Sequence, residues 1–395
     1  MRILITSNHG NTFYPKEGAD IRKNKLALGL AKKNDVTVLE SDRYIANETE
    51  VPSNISIERY HEYFLFGKPL SFLLDLNPSF VSKLYGLLNQ DRIDIIQISF
   101  PYGFLATKLC LWLLKKKIPV IYDAHNVEKY TTKQISLPDC SCVISFFLTL
   151  YVPILEWLAI KLTADYIISV SDTDRLNFIT EYNLNGDRIK VIPSGTTIRS
   201  WDDTRSKETL KKEMGISNVK VILFHGTYSY PPNREAFDLI IDYIAPQAKA
   251  ADNVVFLLAG NKTPIFEKDN VRSLGFVEDI DSLLHVADIA IVPLLRGGGT
   301  KLKILDYLGA GLPIVTTRKG IEGIDVRNGK DAIVVDEVNK RFIEAILSLV
   351  DNDEQRNILG QNGRRLAEEK YGWDRIGESL DVYYNHINNR GGEDL

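Results

Sequence analysis

Residues 296–313 (RGGGTKLKILDYLGAGLP) combine three glycines, two lysines and a carboxylate, the residue types of an anion site. The glycines follow an apolar strand-like run, and the helical spacing of leucines predicts a helix from Thr300. A strand, a glycine turn and a helix start together point bare backbone N–H groups at an anion. Lys301 and Lys303 fall in the predicted first turn, where cations oppose the helix dipole, and a bound phosphate explains them. An ordinary strand-to-helix turn is the alternative interpretation.

The longer string resembles the nucleotide-sugar signature of the retaining GT-B glycosyltransferases of family 4, also called group 1. That signature has two glutamates around the glycine turn, followed by an Ala-x-Gly-x-Pro-Val tail. Asp306 stands at the position of the second glutamate, and residues 310–315 supply the tail. Gly298 stands at the position of the first glutamate, which in the family contacts the donor sugar. The resemblance implies these donor-binding residues: Arg296, Gly297, Gly298, Gly299, Thr300, Lys301, Leu302 and Asp306.

Two further segments resemble the donor side of the same family. In FHGTYSYPPN, residues 224–233, Gly226 would let the backbone approach the diphosphate. Thr227 stands where many relatives begin an Arg and Lys pair, so the cations for the phosphates must come from Arg296, Lys301 or Lys303. Residues 273–293 resemble the base pocket, to which Phe276 and Val277 are assigned. Core packing is the alternative role for Phe276.

The segment YDAHNVE, residues 122–128, follows a predicted strand and resembles the family's D-x-H-N motif. The resemblance implies that His125 reaches the reacting centre and that Asp123 orients it. Such a histidine would stabilise developing charge as a hydrogen-bond partner. A purely structural histidine is the alternative. Asn126 and Glu128, together with Gly18 at the start of the first predicted helix, are assigned to the acceptor.

Strand-like and helix-like runs alternate along the chain, which predicts an α/β fold with parallel sheets covered by helices. A polar seam near residues 193–218 separates two sets of βα units, and we place a domain boundary at about residue 200. The resemblance implies the GT-B architecture, in which two Rossmann-like domains have parallel sheets facing across a cleft. Residues 1–200 would form the acceptor domain and 201–375 the donor domain. The final helix, 376–390, would pack back onto the first domain.

Composition limits the possible partners and location. The net charge of −4 gives no reason to expect nucleic acid, and the 23 Lys+Arg against 21 Asp+Glu of residues 1–200 make that half only weakly basic. Three cysteines have neither disulfide nor zinc spacing, and the N-terminus lacks the apolar core of a signal peptide. We therefore expect a cytoplasmic protein with no metal site and no cofactor.

Three local patterns have a structural explanation. Asp172 and Asp174, and likewise Asp279 and Asp281, have the D-x-D form of metal-dependent transferases, but we interpret both pairs as helix caps. Residues 143–155 are apolar yet too short for a membrane span. A buried helix is one interpretation of that segment. The other is an interfacial patch, helped by the aromatic-rich residues 60–72, that places the protein at the inner face of the membrane.

The resemblance implies a metal-independent retaining transfer of a sugar from a nucleoside diphosphate sugar to a hydroxyl of a glycan or lipid-linked glycan. Two alternatives stay open. In the first, the chain is a pseudo-transferase that binds a nucleotide sugar or a partner without turnover. In the second, it is a sugar-nucleotide epimerase or phosphorylase on the same fold. The donor base, the sugar and the acceptor are not determined by the sequence.

Overall fold

The computed structural model describes residues 1–7, 12–13, 18–44, 51–65, 68–69, 77–90, 92–130, 142–201, 205–248 and 253–391 of the 395-residue chain. Tyr44, Leu65, Lys68 and residues 142–149 and 391 are described by their backbone only. The chain divides into two compact units, Met1–Ser194 with Trp373–Leu395, and Gly195–Gly372. The second unit is continuous in sequence, whereas the first is completed by the C-terminal segment.

The first unit is built on a parallel sheet. Its strands, with a short separate hairpin, are β1 Arg2–Ser7, β2 Asp35–Ser41, β3 Ile55–Tyr60, β4 Phe64–Leu65, β5 Lys68–Pro69, β6 Ile95–Ser99, β7 Val120–Asp123, β8 Tyr166–Ser169 and β9 Ile189–Val191. The sheet has the order β3-β2-β1-β6-β7-β8-β9, and every neighbouring pair in it is parallel. The apolar runs fit this arrangement, because strands of such a sheet are buried on both faces.

Helices cover both faces of this sheet. They are α1 Gly18–Ala31, α2 Pro78–Gln90, α3 Phe104–Leu114, α4 Cys142–Leu158, continued by a π-turn Ala159–Thr163, and α5 Asp172–Tyr182. Residues of α2, α3, the π-turn and α5 belong to one apolar core, which includes Leu84, Phe104 and Phe178. Residues of α1 belong to a second core on the opposite face, which includes Leu26. The sheet is therefore the middle layer of a three-layer unit.

The second unit repeats this design. Its strands are β10 Lys220–His225, β11 Val254–Ala259, β12 Ile265–Lys268, β13 Val271–Leu274, β14 Ile289–Val292, β15 Ile314–Thr317 and β16 Ile333–Val335. They have the order β12-β13-β11-β10-β14-β15-β16, and only the edge strand β12 runs antiparallel to its neighbour. A two-residue turn joins β12 to β13, which a parallel crossover could not do. The predicted α/β class with two parallel sheets is confirmed, with this one antiparallel edge.

The helices of the second unit begin and end at defined residues. They are α6 Lys207–Glu213, α7 Pro231–Leu239, α8 Ala245–Ala248, α9 Ile280–Val286, α10 Leu302–Gly309, α11 Lys340–Asp351 and α12 Asp353–Leu366. The prediction that a helix starts at Thr300 was wrong, because Lys301 is the N-cap of α10. Asp279 rather than Asp281 caps α9, accepting from the backbone N–H of Ser282. Ser171 caps α5 and accepts from the Asp174 backbone N–H, which confirms capping as the role of that segment.

The apolar segment 143–155 lies within α4, and the helix continues through Pro153. A proline removes one backbone hydrogen bond from a helix interior. The turn that follows is anchored by Glu156, which is buried and accepts a hydrogen bond from the Tyr122 hydroxyl. No helix in the described ranges combines the length and apolarity needed to cross a bilayer.

The C-terminal helix, α13 Trp373–Gly391, belongs to the first unit and packs on α1. The two helices cross where Gly29 meets Gly377, and a Cβ atom on Gly377 would lie 2.8 Å from the Gly29 Cα. Asn34 donates a hydrogen bond of 2.7 Å to Asp381 on α13. Helices α1 and α13 are 342 or more residues apart in sequence. Their close contact depends on Gly29 and Gly377, which have no side chain.

We predict that Gly377→Ala lowers the free energy of unfolding by about 1–3 kcal/mol, because the added methyl group forces α1 and α13 apart. Gly86→Ala is the matched control, since a Cβ at Gly86 in α2 meets nothing within 4 Å. That control should raise the free energy by about 0.5–1 kcal/mol through helix propensity. Urea unfolding followed by circular dichroism measures both, and equal effects of the two variants would contradict the packing argument.

Candidate functional site

The glycine turn between β14 and α10 is stabilised from beneath by Lys301. Gly297 and Gly299 have φ values of 120° and 64°, which residues with a side chain rarely adopt. The buried Lys301 ammonium donates to the carbonyl oxygens of Gly297, Gly298 and Gly299 at 3.2, 3.3 and 2.6 Å, and lies 3.5 Å from a Glu322 oxygen. This lysine therefore fixes the shape of the turn.

Lys303 is the cation that lies against the glycine loop after β10. Its Nζ donates to Asn233 Oδ1 at 2.7 Å and sits 4.2 Å from the centroid of the Phe224 ring. A Cβ atom on Gly226 would lie 2.7 Å from the same Nζ, so any other residue there would displace the end of the lysine side chain. Burial, followed by the nearby Lys301 charge, lowers the pKa of Lys303 to about 7. The amide and the aromatic ring that this ammonium contacts are neutral groups.

The other predicted cation, Arg296, is held by an acidic neighbour. Its Nε lies 2.8 and 2.9 Å from the two carboxylate oxygens of Glu235, and its Nη2 lies 2.6 Å from one of them. This forked geometry is the strong form of an ion pair. Of the three candidate cations, only Lys303 approaches Gly226, while Thr227 contributes a carbonyl that accepts from Asn233 at 2.9 Å.

The start of α10 presents polar hydrogens next to this lysine. The hydroxyl Oγ1 of Thr300 is buried and makes no hydrogen bond within the described residues. The first N–H groups of a helix have no partner inside the helix. Leu302 opens the helix and packs against the apolar core of the unit. A turn, a free hydroxyl and a helix N-terminus beside Lys303 form a site that an anion can occupy.

Asp306 lies one helical turn further along and has an arginine partner. Its Oδ1 is 3.1 Å from the Thr196 hydroxyl and 3.4 Å from both terminal nitrogens of Arg199. Arg199 also reaches Asp281 through Nε at 2.6 Å. Burial raises the pKa of Asp306, and the Arg199 charge opposes that shift. The second oxygen, Oδ2, lies 3.9 Å from His225 Nε2.

The residues assigned to the base lie at the end of β13. Gly275 follows the strand with φ 73°, and Phe276 is 66% exposed. Val277 is half-buried and packs against the core of the unit. Core packing, the alternative for Phe276, is therefore wrong, and its ring is accessible to a flat ligand.

In the first unit, Asp123 is the centre of a buried polar network. Arg22 on α1 donates to its Oδ1 from Nε at 3.2 Å and from Nη2 at 2.9 Å. Gln97 and Ser99 on β6 donate to Oδ2 at 3.2 and 3.4 Å. Tyr384 on α13 donates to Gln97 at 2.8 Å. Burial alone would raise the pKa of Asp123, but the Arg22 charge and the contact with His125 hold it well below its usual range.

His125 is placed by this carboxylate and by an aromatic ring. Its Nε2 lies 3.5 Å from Asp123 Oδ2, and its ring stacks on Phe100 with centroids 4.5 Å apart. Nε2 makes no closer hydrogen bond among the described residues. Burial lowers the pKa of His125 although Asp123 opposes the shift, so the imidazole is neutral at pH 7. In the tautomer with the proton on Nε2, the nitrogen on the side of Asp123, Nδ1 is the nitrogen that can accept a hydrogen bond.

The segment after His125 is attached to α4. The Glu156 carboxylate accepts from the Glu128 backbone N–H at 3.1 and 3.3 Å and from the hydroxyls of Tyr122 and Tyr182. Burial raises the pKa of Glu128 and of Glu156, and for Glu128 the neighbouring Glu156 charge adds to this. Asn126 is half-buried in the same segment. Gly18 is exposed at the start of α1.

Sequence inspection missed several residues of both sites. All of them except Asn233, which ends the segment 224–233, come from positions outside the recognised motifs: Arg22, Gln97, Glu156, Arg199, Asn233 and Tyr384. The one available signal was the basic string IRKNK inside the apolar-spaced helix α1, where Arg22 and Lys23 are almost fully buried. In the described part of the chain, no group of three or more His, Cys, Asp or Glu side chains is arranged to hold a metal ion.

Two family models match the chain, one in each unit. Residues 23–199 match Glycosyltransferase Family 4, and residues 219–352 match Glycosyl transferases group 1. The second range contains the glycine turn, Lys303 and Asp306, and the first contains Asp123 and His125. The two units that were described from geometry alone therefore each correspond to a glycosyltransferase domain.

The curated relatives are distant, and each alignment covers only part of both chains. The chain is 22% identical over 244 residues to spore coat protein SA of Bacillus subtilis, a match that covers 55% of this chain and 64% of that protein. It is 23% identical over 236 residues to a GDP-mannose-dependent monoacylated alpha-(1-6)-phosphatidylinositol monomannoside mannosyltransferase of Corynebacterium glutamicum, covering 53% and 61%. The chain thus spans less than two thirds of the length of these relatives.

Among solved structures, the Anabaena protein Alr3699/HepE in complex with UDP and glucose aligns with a TM-score of 0.71. The alignment covers 98% of this chain and all of that chain, at 15% sequence identity. Likeness at this identity establishes the fold alone, and the predicted GT-B fold is confirmed.

Proposed function

We propose that this chain, which has the GT-B fold and carries two glycosyltransferase domains, transfers a sugar from a nucleoside diphosphate sugar to a hydroxyl group. The observation that carries the proposal is the position of Lys303 against Gly226, beside the start of α10. A diphosphate bound there would meet an ammonium, bare backbone and the Thr300 hydroxyl together. Each of these groups favours negative charge.

The remaining donor contacts follow from the same unit. Asp306 would accept hydrogen bonds from the ribose hydroxyls through Oδ2, while Thr196 and Arg199 hold Oδ1. The exposed Phe276 ring and the backbone of Val277 would meet the base. The structurally similar Alr3699/HepE was crystallised in complex with UDP and glucose, which supports a nucleotide-sugar donor for this chain.

The proposed chemical step retains the configuration of the sugar and needs no metal ion, because Lys303 and the N–H groups of α10 supply positive charge to the leaving diphosphate. Neutral His125, oriented by Asp123, would accept a hydrogen bond from a sugar or acceptor hydroxyl through Nδ1. The acceptor hydroxyl would attack on the face that the diphosphate leaves.

The acceptor proposed is a glycan or a lipid-linked glycan, handled at the cytoplasmic face of a membrane. One relative, by its name, glycosylates a phosphatidylinositol mannoside, which supports a lipid-linked acceptor. A thermal-shift screen with nucleoside diphosphate sugars tests the donor first, because ligands that bind the native state raise the melting temperature.

We predict that Lys303→Ala weakens binding of a nucleoside diphosphate by about 1.5–3 kcal/mol, the cost of a lost hydrogen bond to a charged group. Binding of the matching nucleoside monophosphate should change much less, since we propose that the lysine contacts the distal phosphate. Isothermal calorimetry measures both. Lys340→Ala, an 85% exposed lysine of the same unit, is the control and should leave both affinities unchanged. Equal losses for the two nucleotides would remove Lys303 from the diphosphate site.

We predict that diphosphate binding takes up a proton above pH 7. The pKa of Lys303 is about 7 in the free protein, and an anion beside it favours the charged form and raises that pKa. Affinity should therefore be greatest below pH 7 and fall by at most about tenfold per pH unit as pH rises, until the pKa of the complex is reached. His225 stays neutral here because burial and the Lys303 and Arg199 charges lower its pKa to about 3.

Calorimetry at pH 8 in buffers of different ionisation enthalpy measures this proton uptake directly. Lys303→Arg is the matched variant, because a guanidinium stays charged throughout and should abolish the uptake. An uptake that persists in Lys303→Arg would assign the proton to another group.

We predict that His125→Ala reduces turnover by about 10²-fold or more while nucleoside diphosphate affinity stays within a few fold, because the contact matters mainly in the transition state. His386→Ala, an exposed histidine on α13, is the control. Near-normal turnover in His125→Ala would return this residue to a structural role. Donor binding without any turnover in the unaltered protein would instead favour the pseudo-transferase, and donor hydrolysis without transfer would favour an epimerase or phosphorylase.

A further inference from the structure

Helix α3 exposes an unusual amount of apolar surface. Leu109, Trp112 and Leu113 follow each other at helical spacing on one side and are 38%, 71% and 51% exposed. Tryptophan is on average a highly buried residue, so one that is mostly exposed needs a reason. The opposite side of α3 is packed in the core through Phe104, Ala106 and other residues. The helix is therefore apolar towards both the core and the solvent.

Helix α4 repeats this pattern. Leu150, Ile154 and Trp157 lie one or two helical turns apart and are 57%, 47% and 48% exposed. Between them, Leu155 and Glu156 are buried against the first unit. An outward stripe of this kind is not explained by packing within the described chain. A helix that is apolar all round is normally buried, in a core or in lipid.

The two stripes lie on neighbouring elements on the same side of the first sheet. The π-turn that ends α4 packs on α3, and its Thr163 hydroxyl donates to the Phe104 carbonyl at 3.4 Å. Leu162 in this turn is a further exposed apolar side chain, at 48%. We call the exposed surface formed by these stripes the α3–α4 face.

The exposed charges on α3, α4 and the π-turn are all positive among the described residues. Residues 104–118 contain four lysines and no acidic residue, and Lys108, Lys115 and Lys117 are exposed. On the α4 side Lys161 is exposed, while the only acid of residues 150–164, Glu156, is fully buried. Asp165, which follows, lies near Lys108 and accepts from the Val120 backbone N–H. Apolar side chains bordered by lysines suit a surface that is apolar inside and anionic at its rim.

We propose that the α3–α4 face docks on a membrane that contains anionic lipids, with Trp112 and Trp157 in the interfacial layer. Tryptophan favours that layer, and lysines beside it are attracted to anionic headgroups. A second copy of the chain is a poorer occupant, because its lysines would meet those of the first. The proposal concerns a surface of the first unit, whereas the donor residues belong to the second, and it does not depend on the transferase activity.

The face differs from the membrane patch that the sequence suggested. Residues 150–155 belong to it, but α3 was not part of the prediction. Within residues 60–72, Tyr63 and Phe64 are 47% and 53% exposed, and residues 66, 67 and 70–72 lie outside the described ranges. The α3 stripe escaped notice because KLCLWLLKKK has the composition of an ordinary buried helix.

Docking would have a consequence for the first unit. Glu156, on the inner side of the α4 stripe, holds the backbone of Glu128. The helix that meets lipid is therefore hydrogen-bonded directly to the segment that follows His125. A lipid-embedded acceptor would be presented close to residues that the membrane itself helps to position.

The test is co-sedimentation of the full chain with vesicles, without any sugar donor. Vesicles of phosphatidylcholine mixed with phosphatidylglycerol are compared with vesicles of phosphatidylcholine alone. We expect binding to the mixed vesicles that weakens with salt and a loss of about tenfold or more in partitioning for the double variant Trp112→Glu and Trp157→Glu. Lys115→Glu with Lys117→Glu should also weaken binding to the anionic vesicles. Val382→Glu is the matched control, since Val382 is 67% exposed on α13, on the opposite face of the same sheet, and should bind normally.

Quenching of tryptophan fluorescence by brominated lipids gives a second measurement. Two of the four tryptophans lie on the face, so quenching should disappear when Trp112 and Trp157 are both replaced by Phe, although Trp201 and Trp373 remain. Circular dichroism verifies that the variants are folded. Equal binding of the control and the double Glu variant, or no binding to anionic vesicles, would overturn the proposal. A dimer in sedimentation that Trp112→Glu dissociates, without vesicle binding, would assign the face to self-association instead.

Discussion

The ion pair between Arg22 and Asp123 is the interaction on which the first unit depends. Both side chains are almost completely buried, at 1% and 0% exposure. Two charges removed from water cost several kcal/mol each, and that cost is offset only when the pair has good geometry and its remaining groups are hydrogen-bonded. Arg22 meets this condition by also donating to the Ile192 carbonyl at 2.9 Å, and Asp123 by accepting from β6. Helix α1, strands β6 and β7 and the segment that follows β9 are thereby held together through the carboxylate of Asp123.

In the second unit, two of the three candidate cations are paired with negative groups, and the third, Lys303, has no such partner within the described residues. Lys301 is neutralised by carbonyl oxygens and a carboxylate, and Arg296 by Glu235, so both serve the shape of the loops. Lys303 contacts an amide and an aromatic ring, and burial already favours its neutral form. A lysine in such surroundings contributes little to stability, because neutral partners do not offset the desolvation of a charge. The proposed anionic ligand would supply the missing negative charge, whereas the Arg22 and Asp123 pair is complete by itself.

The sequence predicted those features that depend on neighbours along the chain. Apolar runs of four to six residues identified most strands, and the glycine string after β14 identified the turn and the helix that follows it. The start of α10 was placed too early, because periodicity does not distinguish Lys301 in a cap from Lys301 in a first turn. The antiparallel strand β12 was missed because Ile265–Lys268 has only two apolar residues, the exposed Ile265 and the half-buried Phe266, and no alternating or continuous apolar run.

Features that join distant segments were beyond the sequence. Tyr384 reaches the Asp123 network from a helix that is 287 residues away from its partner Gln97, and no local pattern marks it. Arg199 belongs to a polar connecting segment that gave no reason to connect it with Asp306. Exposure is equally non-local, since α3 has the same apolar spacing as a core helix and only the packed structure reveals which side faces solvent.

The discontinuous first unit has a consequence for biosynthesis. Its core on the α1 side includes Ile376, Leu380, Tyr384 and Ile387, which are made only after the whole of the second unit. The second unit is continuous and can complete its own core as soon as Gly372 has left the ribosome, although it is made later than most of the first. Domains fold as units during synthesis, usually from the N-terminus onward. Here the order is reversed at one step, because the first unit waits, with one face of its sheet partly uncovered, until the segment that follows the second unit has been made.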